Sequence, residues 1–123
     1  MSIQSYRDLR VWQESMTLAE AIYRLTKAYP KDETYGLTAQ MRRASVSVPA
    51  NIAEGYGREN TGSYVQFLRI AQGSLKELET HLLLSARVAL ALMDDVEPLL
   101  TQTETVGKML RALIRSLESG SKQ

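Results

Sequence analysis

The stretch QMRRASVSVPANIAEGYGR, Gln40 to Arg58, holds the rarest residue choices in an otherwise ordinary amphipathic chain. Continuing from Leu37, the residues Met41, Ala44, Val48 and Ile52 recur at three- and four-residue spacing, the mark of a helix with one buried face. A second line, Val46, Ala50, Ala53 and Gly57, consists of small residues. Pro49 falls inside this pattern and removes the amide that would bond the Ser45 carbonyl, which costs about 3 kcal/mol if nothing compensates. The helix either ends near Val48 and restarts at Pro49, or runs on with a kink. The core spacing keeps phase through Ile52, which favours one kinked helix over about residues 35–57, ended by Gly55 and Gly57.

Working outward, Ser5 with Asp8 three residues later makes an approximate capping box, so a first helix is expected over about 6–28. It carries two apolar stripes: Leu9, Trp12, Met16, Ala19 and Tyr23 on one, and Val11, Leu18, Ile22, Leu25 and Tyr29 on the other. Together they are wider than one bundle seam requires. Pro30 disfavours helical geometry at Tyr29 and closes the helix.

Asn60 and Thr61 can cap a third helix over about 61–92. Its seam, Tyr64, Leu68, Ala71, Leu75, Leu78, Leu82, Ser85, Ala89 and Leu92, alternates spacings of four and three as in helical bundles. Gly73 has no seam role, and its mid-helix cost of about 1 kcal/mol suggests a neighbouring backbone packed close against it. A fourth helix over about 95–118 repeats the alternation from Val96 to Leu117, with Asp94 or Asp95 as its cap and Pro98 in its first turn. Four such helices joined by short turns predict an all-α, antiparallel up-down-up-down four-helix bundle, a single domain over residues 1–123.

Composition restricts the functional classes. Hydrophobic residues at 44% and charged residues at 24% are globular values. No apolar run approaches the roughly 18 residues of a membrane span, so no membrane partner is expected. The first ten residues lack the apolar core of a secretory signal, which favours the cytoplasm. The chain has no cysteine, which removes disulfides, thiolate nucleophiles and most structural zinc sites. The formal net charge is +1, yet residues 36–76 hold five cations, Arg42, Arg43, Arg58, Arg69 and Lys76, against Glu54 and Glu59. Such a cluster reads as a solvated face or as a phosphate-facing stripe.

Catalytic constellations are largely missing. A di-iron bundle needs Glu-x-x-His on two helices, whereas the one histidine, His81, follows Leu78 at that offset. His81 could ligate a haem, but a lone helical histidine beside Leu82 to Leu84 is more often a surface or packing residue. Glu77 and Glu79 are two apart and point to different helix faces. GYGRENTG resembles a phosphate loop without its Lys-Ser/Thr. The expectation is a protein that is not an enzyme, with no catalytic residue, no cofactor and no metal.

With these residues laid out, the chain resembles the small bacterial four-helix bundle proteins named for reading frames in intervening sequences of 23S ribosomal RNA genes. The resemblance rests on Leu9-x-Val11-Trp12, on Leu37-x-x-Gln40-x-Arg42-Arg43-Ala44 and on Pro49-x-Asn51-Ile52-Ala53-Glu54-Gly55. Phe67-Leu68-x-x-Ala71-x-Gly73-Ser74-x-x-Glu77-Leu78 extends it along the third helix. It implies a bundle that assembles with itself into a cyclic homopentamer. It also implies kinship with the accessory protein of diversity-generating retroelements, which binds nucleic acid through a basic surface. Two functions follow as alternatives, an oligomeric RNA- or DNA-binding accessory factor and a module that engages a protein partner and no nucleic acid. For the first, Arg42, Arg43, Arg58 and Arg69 are the candidate phosphate contacts. Pro49, Asn51, Glu54, Gly55 and Gly73 are assigned structural roles: Glu54 pairing with Arg58, and Asn51 bonding backbone freed near Pro49.

Overall fold

The structure, a computed structural model, describes residues 2–121. Four helices, α1 (Arg10–Thr26), α2 (Leu37–Tyr56), α3 (Thr61–Arg87) and α4 (Met93–Ser121), account for most of these residues, with single 3-10 turns at Tyr6–Asp8 and Lys31–Glu33. No strand occurs among the described residues. Each helix packs on the next, α4 also meets α1, and the α2–α3 contact is the most extensive. The core takes Leu18 and Ile22 from α1, Met41, Val48 and Ile52 from α2, Leu68, Leu78 and Leu82 from α3, and Val96, Val106 and Leu110 from α4. The second stripe of α1 is therefore the core stripe. The first leaves Met16 and Tyr23 at the surface.

Helix boundaries differ from the sequence reading where the backbone is locally determined. The Ser5–Asp8 box forms, with Ser5 Oγ accepting from the Arg7 amide at 3.1 Å and the Asp8 carboxylate from the Ser5 amide at 3.2 Å. It closes only the 3-10 turn, because Leu9 is extended (φ −72°, ψ 125°), and α1 starts at Arg10. Asn60 caps α3 as expected, its Oδ1 accepting from the Ser63 amide at 2.8 Å.

At its other end α3 stops at Arg87, five residues short of Leu92. Ala89 takes φ 61°, and the Ser85 carbonyl accepts from the amides of Leu90 (2.9 Å) and Ala91 (3.3 Å), so the chain turns out of the helix. The last two positions of the apparent seam, Ala89 and Leu92, are accordingly exposed, Leu92 at 71%. α4 then begins at Met93, two residues earlier than expected, with the Leu92 carbonyl accepting from the Asp95 amide at 3.0 Å. Asp94 and Asp95 lie inside its first turn as favourable charges at the positive end of the helix dipole, and Pro98 falls in the second turn.

Pro49 sits within an unbroken α2 and is buried. Asn51 does not reach the Ser45 carbonyl; its Nδ2 donates to the Ser47 carbonyl (2.8 Å) and hydroxyl (2.9 Å) one turn back. The Ser47 hydroxyl in turn meets the Ser74 hydroxyl at 2.8 Å and ties α2 to α3.

Neither Gly55 nor Gly73 has the role expected of it. Gly55 lies inside α2, and its chain neighbours do not take a left-handed turn; a Cβ there would stand 2.9 Å from Phe67 Cβ and 3.2 Å from the Tyr64 carbonyl oxygen. The close backbone approach is thus at Gly55. Gly73 faces open space, with no atom within 4 Å of where its Cβ would be, so no backbone packs against it.

Substitutions at these positions have opposite signs. Gly55→Ala must displace α3 and should lower stability by about 1–3 kcal/mol, whereas Gly73→Ala should raise it by about 1 kcal/mol through helix propensity. Denaturant melts of the two variants against the parent check this. Ala89→Gly relieves a left-handed alanine that costs roughly 1–2 kcal/mol, partly offset by unfolded-chain entropy of about 0.5–1 kcal/mol, so its midpoint should move upward.

Candidate interaction surfaces

The four arginines singled out by sequence do not form one stripe. Arg42 is half-buried and holds the end of α1. Its Nε donates to Thr26 Oγ1 at 2.9 Å, and its guanidinium lies 4.5 Å over the Tyr23 ring. Thr26 Oγ1 itself donates to the Ile22 carbonyl at 2.8 Å, so Arg42 brings a positive charge to the carbonyl end of α1, where the helix dipole favours it. Arg43, next in sequence, is exposed.

Arg58 lies beyond the end of α2, whose stretch from Arg42 to Tyr56 alone spans about 21 Å at the helical rise of 1.5 Å per residue. It pairs with Glu54 at 3.0 Å and covers Phe67 at 4.6 Å from the ring centre. The Glu54–Arg58 pair expected one turn apart is therefore present. Both partners are exposed, and it contributes about 0.3–0.5 kcal/mol. Beside it Tyr56 and Tyr64 meet edge to face at 6.1 Å, and burial, with Tyr56 adding to it, pushes the Tyr64 phenol above its ordinary pKa. Arg69 bridges α3 to α4 through Glu118 at 2.9 Å. Of the four, Arg42, Arg58 and Arg69 are committed to contacts within the chain.

His81 is buried, its Nε2 3.9 Å from the Glu77 carboxylate and its Nδ1 without a partner. One helical turn on, the Ser85 hydroxyl donates to Met41 Sδ at 3.5 Å. Tyr29 lies nearby with no formed hydrogen bond to its hydroxyl. Burial raises its pKa, and the adjacent Ser85 hydroxyl opposes that in part. These groups are packing residues that join the end of α1 to α2 and α3.

Three other surfaces stand out. An apolar groove of about 550 Å³ between α1 and α2 is lined by Met16, Ala19, Tyr23, Val46 and Pro49, with Glu20 and Arg24 at its rim. The exposed stripe of α1, the small-residue line of α2 and Pro49, all visible in the sequence, converge here. On α3, Leu83 and Leu84 are exposed, and past its end Val88, Leu92 and Met93 are exposed as well. The sequence carried a signal for this patch, since the run Leu82–Leu84 puts two leucines off the seam. A third groove, of about 490 Å³ and lined in part by charged side chains, runs between α3 and α4 past Gly73, Lys76, Gly107 and Arg111. Gly107, a mid-helix glycine, is its sign in the sequence.

Among the described residues no helix is long and apolar enough to cross a membrane. No curated protein matches the chain. The crystal structure of a protein with unknown function from the S23 ribosomal protein family of Bacteroides thetaiotaomicron VPI-5482 has the same fold, with a TM-score of 0.76 at 22% identity over 85% of this chain and 97% of that one. The profile of the 23S rRNA-intervening sequence protein family matches residues 7–112. Together with the Pro49-x-Asn51-Ile52-Ala53-Glu54-Gly55 run at the α2–α3 contact, that match makes the chain a member of the 23S rRNA-intervening sequence protein family.

Proposed function

We propose that the protein is a non-enzymatic self-assembling module of the cytoplasm, an antiparallel up-down-up-down bundle whose copies join head to tail into a closed ring. The helix directions are supported by paired contacts: as α3 is followed from Leu75 back to Arg69, its partners on α4 advance from Gly107 to Glu118. The observation that carries self-assembly is the presence of two separate apolar surfaces, the α1–α2 groove and the outer face of α3 around Leu83, Leu84 and Val88. Exposed apolar patches of more than a few hundred Å² mark interfaces. Two unlike patches on one chain suit a heterologous contact, which makes rings when the rotation closes. Five subunits per ring come from the family resemblance.

A second reading, the nucleic-acid-binding accessory factor, is favoured by exposed cations at the α1–α2 end that have no carboxylate partner among the described residues, Arg24, Lys27 and Arg43. A ring repeats them around its circumference, and each phosphate neutralised adds about −0.9 to the slope of log affinity against log salt. Arg42 serves structure in this reading, so Arg43→Ala is the informative variant. Retention of labelled RNA at low salt that Arg43→Ala weakens and flattens in salt dependence supports it; no retention by the intact assembly removes it.

Light scattering should return a mass several times 13.8 kDa. Val46→Glu and Leu84→Glu should each give a monomer with unchanged helix content. Mixed together they should form pairs and nothing larger, since each variant keeps the surface the other lacks. A wild-type monomer at micromolar concentration rules out the assembly, and mixed variants that stay monomeric rule out the head-to-tail pairing.

A further inference from the structure

One wall of the α1–α2 groove is already built in the single chain. Met16, Ala19 and Tyr23 follow one another along α1 at spacings of three and four, with Val46 and Pro49 of α2 lining the groove beside them. Tyr23 is the one aromatic ring among the lining residues, and at 43% exposure it is open to contact by a second molecule. Its hydroxyl has no hydrogen-bond partner among the described residues.

An exposed side chain ordinarily moves among rotamers, and a partner that docks on it has to offset the freedom it loses. Arg42 has removed much of that freedom beforehand. Its guanidinium lies over the Tyr23 ring, 4.5 Å from the centre. The guanidinium is itself fixed at two points, Nε donating to Thr26 Oγ1 at 2.9 Å and Nη2 to the Tyr23 carbonyl at 3.5 Å. Thr26 is buried and its hydroxyl donates to the Ile22 carbonyl, so the anchor of the clamp belongs to the packed end of α1. A residue of α2 thus holds in place a ring of α1 that lines the groove between the two helices.

We propose that Tyr23 is the anchor on which a second copy of this chain seats in the groove, and that Arg42 is the positioning residue that holds the ring ready for it. The inference rests on the head-to-tail assembly proposed above and adds the two residues on which the strength of that contact depends. A few residues carry most of the binding energy of an interface, with tyrosine and arginine prominent among them. A ring ordered in the free chain loses little more on contact, so its apolar area against Leu84 of the partner subunit is converted to affinity with a smaller entropic loss. Arg42 acts through Tyr23, and its removal matters for assembly only where the ring is present and the groove is in use.

The pair formed by mixing Leu84→Glu with Val46→Glu tests this, because only the Leu84→Glu chain offers an intact groove. Its dissociation constant is measured by calorimetric titration, with helix content and melting temperature recorded for every chain. Arg42→Ala added to the Leu84→Glu chain should weaken pairing by about tenfold or more. The same substitution added to the Val46→Glu chain, whose groove is not used, should leave pairing unchanged while lowering the melting temperature as much, a separation that a merely structural arginine would not give. Tyr23→Ala in the Leu84→Glu chain should weaken pairing at least as far, and Arg42→Ala on top of it should add less than about twofold. Should Arg42→Ala not fold, Arg42→Gln, which keeps a donor for Thr26, is read by the same criteria. If Leu84→Glu and Val46→Glu form no pair at all, the assembly fails and this proposal with it. If they pair and Arg42→Ala makes no difference in the Leu84→Glu chain, or adds in full to Tyr23→Ala, this proposal alone is overturned.

Discussion

The approach of α2 to α3 at Gly55 is the constraint on which the rest of the bundle depends. With no side chain at that position, the α2 backbone comes up to Phe67 and Tyr64 at distances that a methyl group could not share. The most extensive helix contact of the molecule grows from there, through the Ser47–Ser74 hydroxyl pair in the middle to the Met41–Ser85 contact at the far end. Because α2 is held against α3 in this way, its Pro49 is buried toward α1, and Val46 is left at the surface, 45% exposed, on the rim of an apolar groove. Close packing on one side of α2 thus leaves unfinished packing on the other.

Much of this was legible in the sequence, and the failures have local causes. The periodicity of Met41, Ala44, Val48 and Ile52 marked the core face of α2 correctly, and carried the helix through Pro49 as observed. The same periodicity ran α3 too far, because Ala89 and Leu92 keep the seam spacing by coincidence while a left-handed residue at Ala89 ends the helix. Alanine gives no warning of that conformation, which glycine would have announced. Gly55 and Gly73 are conspicuous in the sequence, but their surroundings are not legible there. Spacing says that a glycine departs from the helical preference, and only the tertiary arrangement says whether a neighbour or a void lies opposite.

Charge was the least legible property. A cluster of arginines in sequence suggested one basic surface, yet Arg42 reaches across to Thr26, Arg58 back to Glu54, and Arg69 across to Glu118. Long flexible side chains find partners that linear spacing does not reveal, and an arginine's function depends on whether it is already engaged. Arg111, in the α3–α4 groove, lies outside the cation-rich residues 36–76.

A chain with a filled core and two further apolar surfaces gains stability when those surfaces meet, and that gain depends on protein concentration. Thermal unfolding followed by circular dichroism over about a hundredfold range of concentration measures it directly, since any partner that binds only the folded chain raises the melting temperature by mass action. Self-assembly through the α1–α2 groove and the α3 patch requires a melting temperature that climbs with concentration in the parent and stays flat in Val46→Glu. A parent protein that melts at one temperature across the whole range contradicts it.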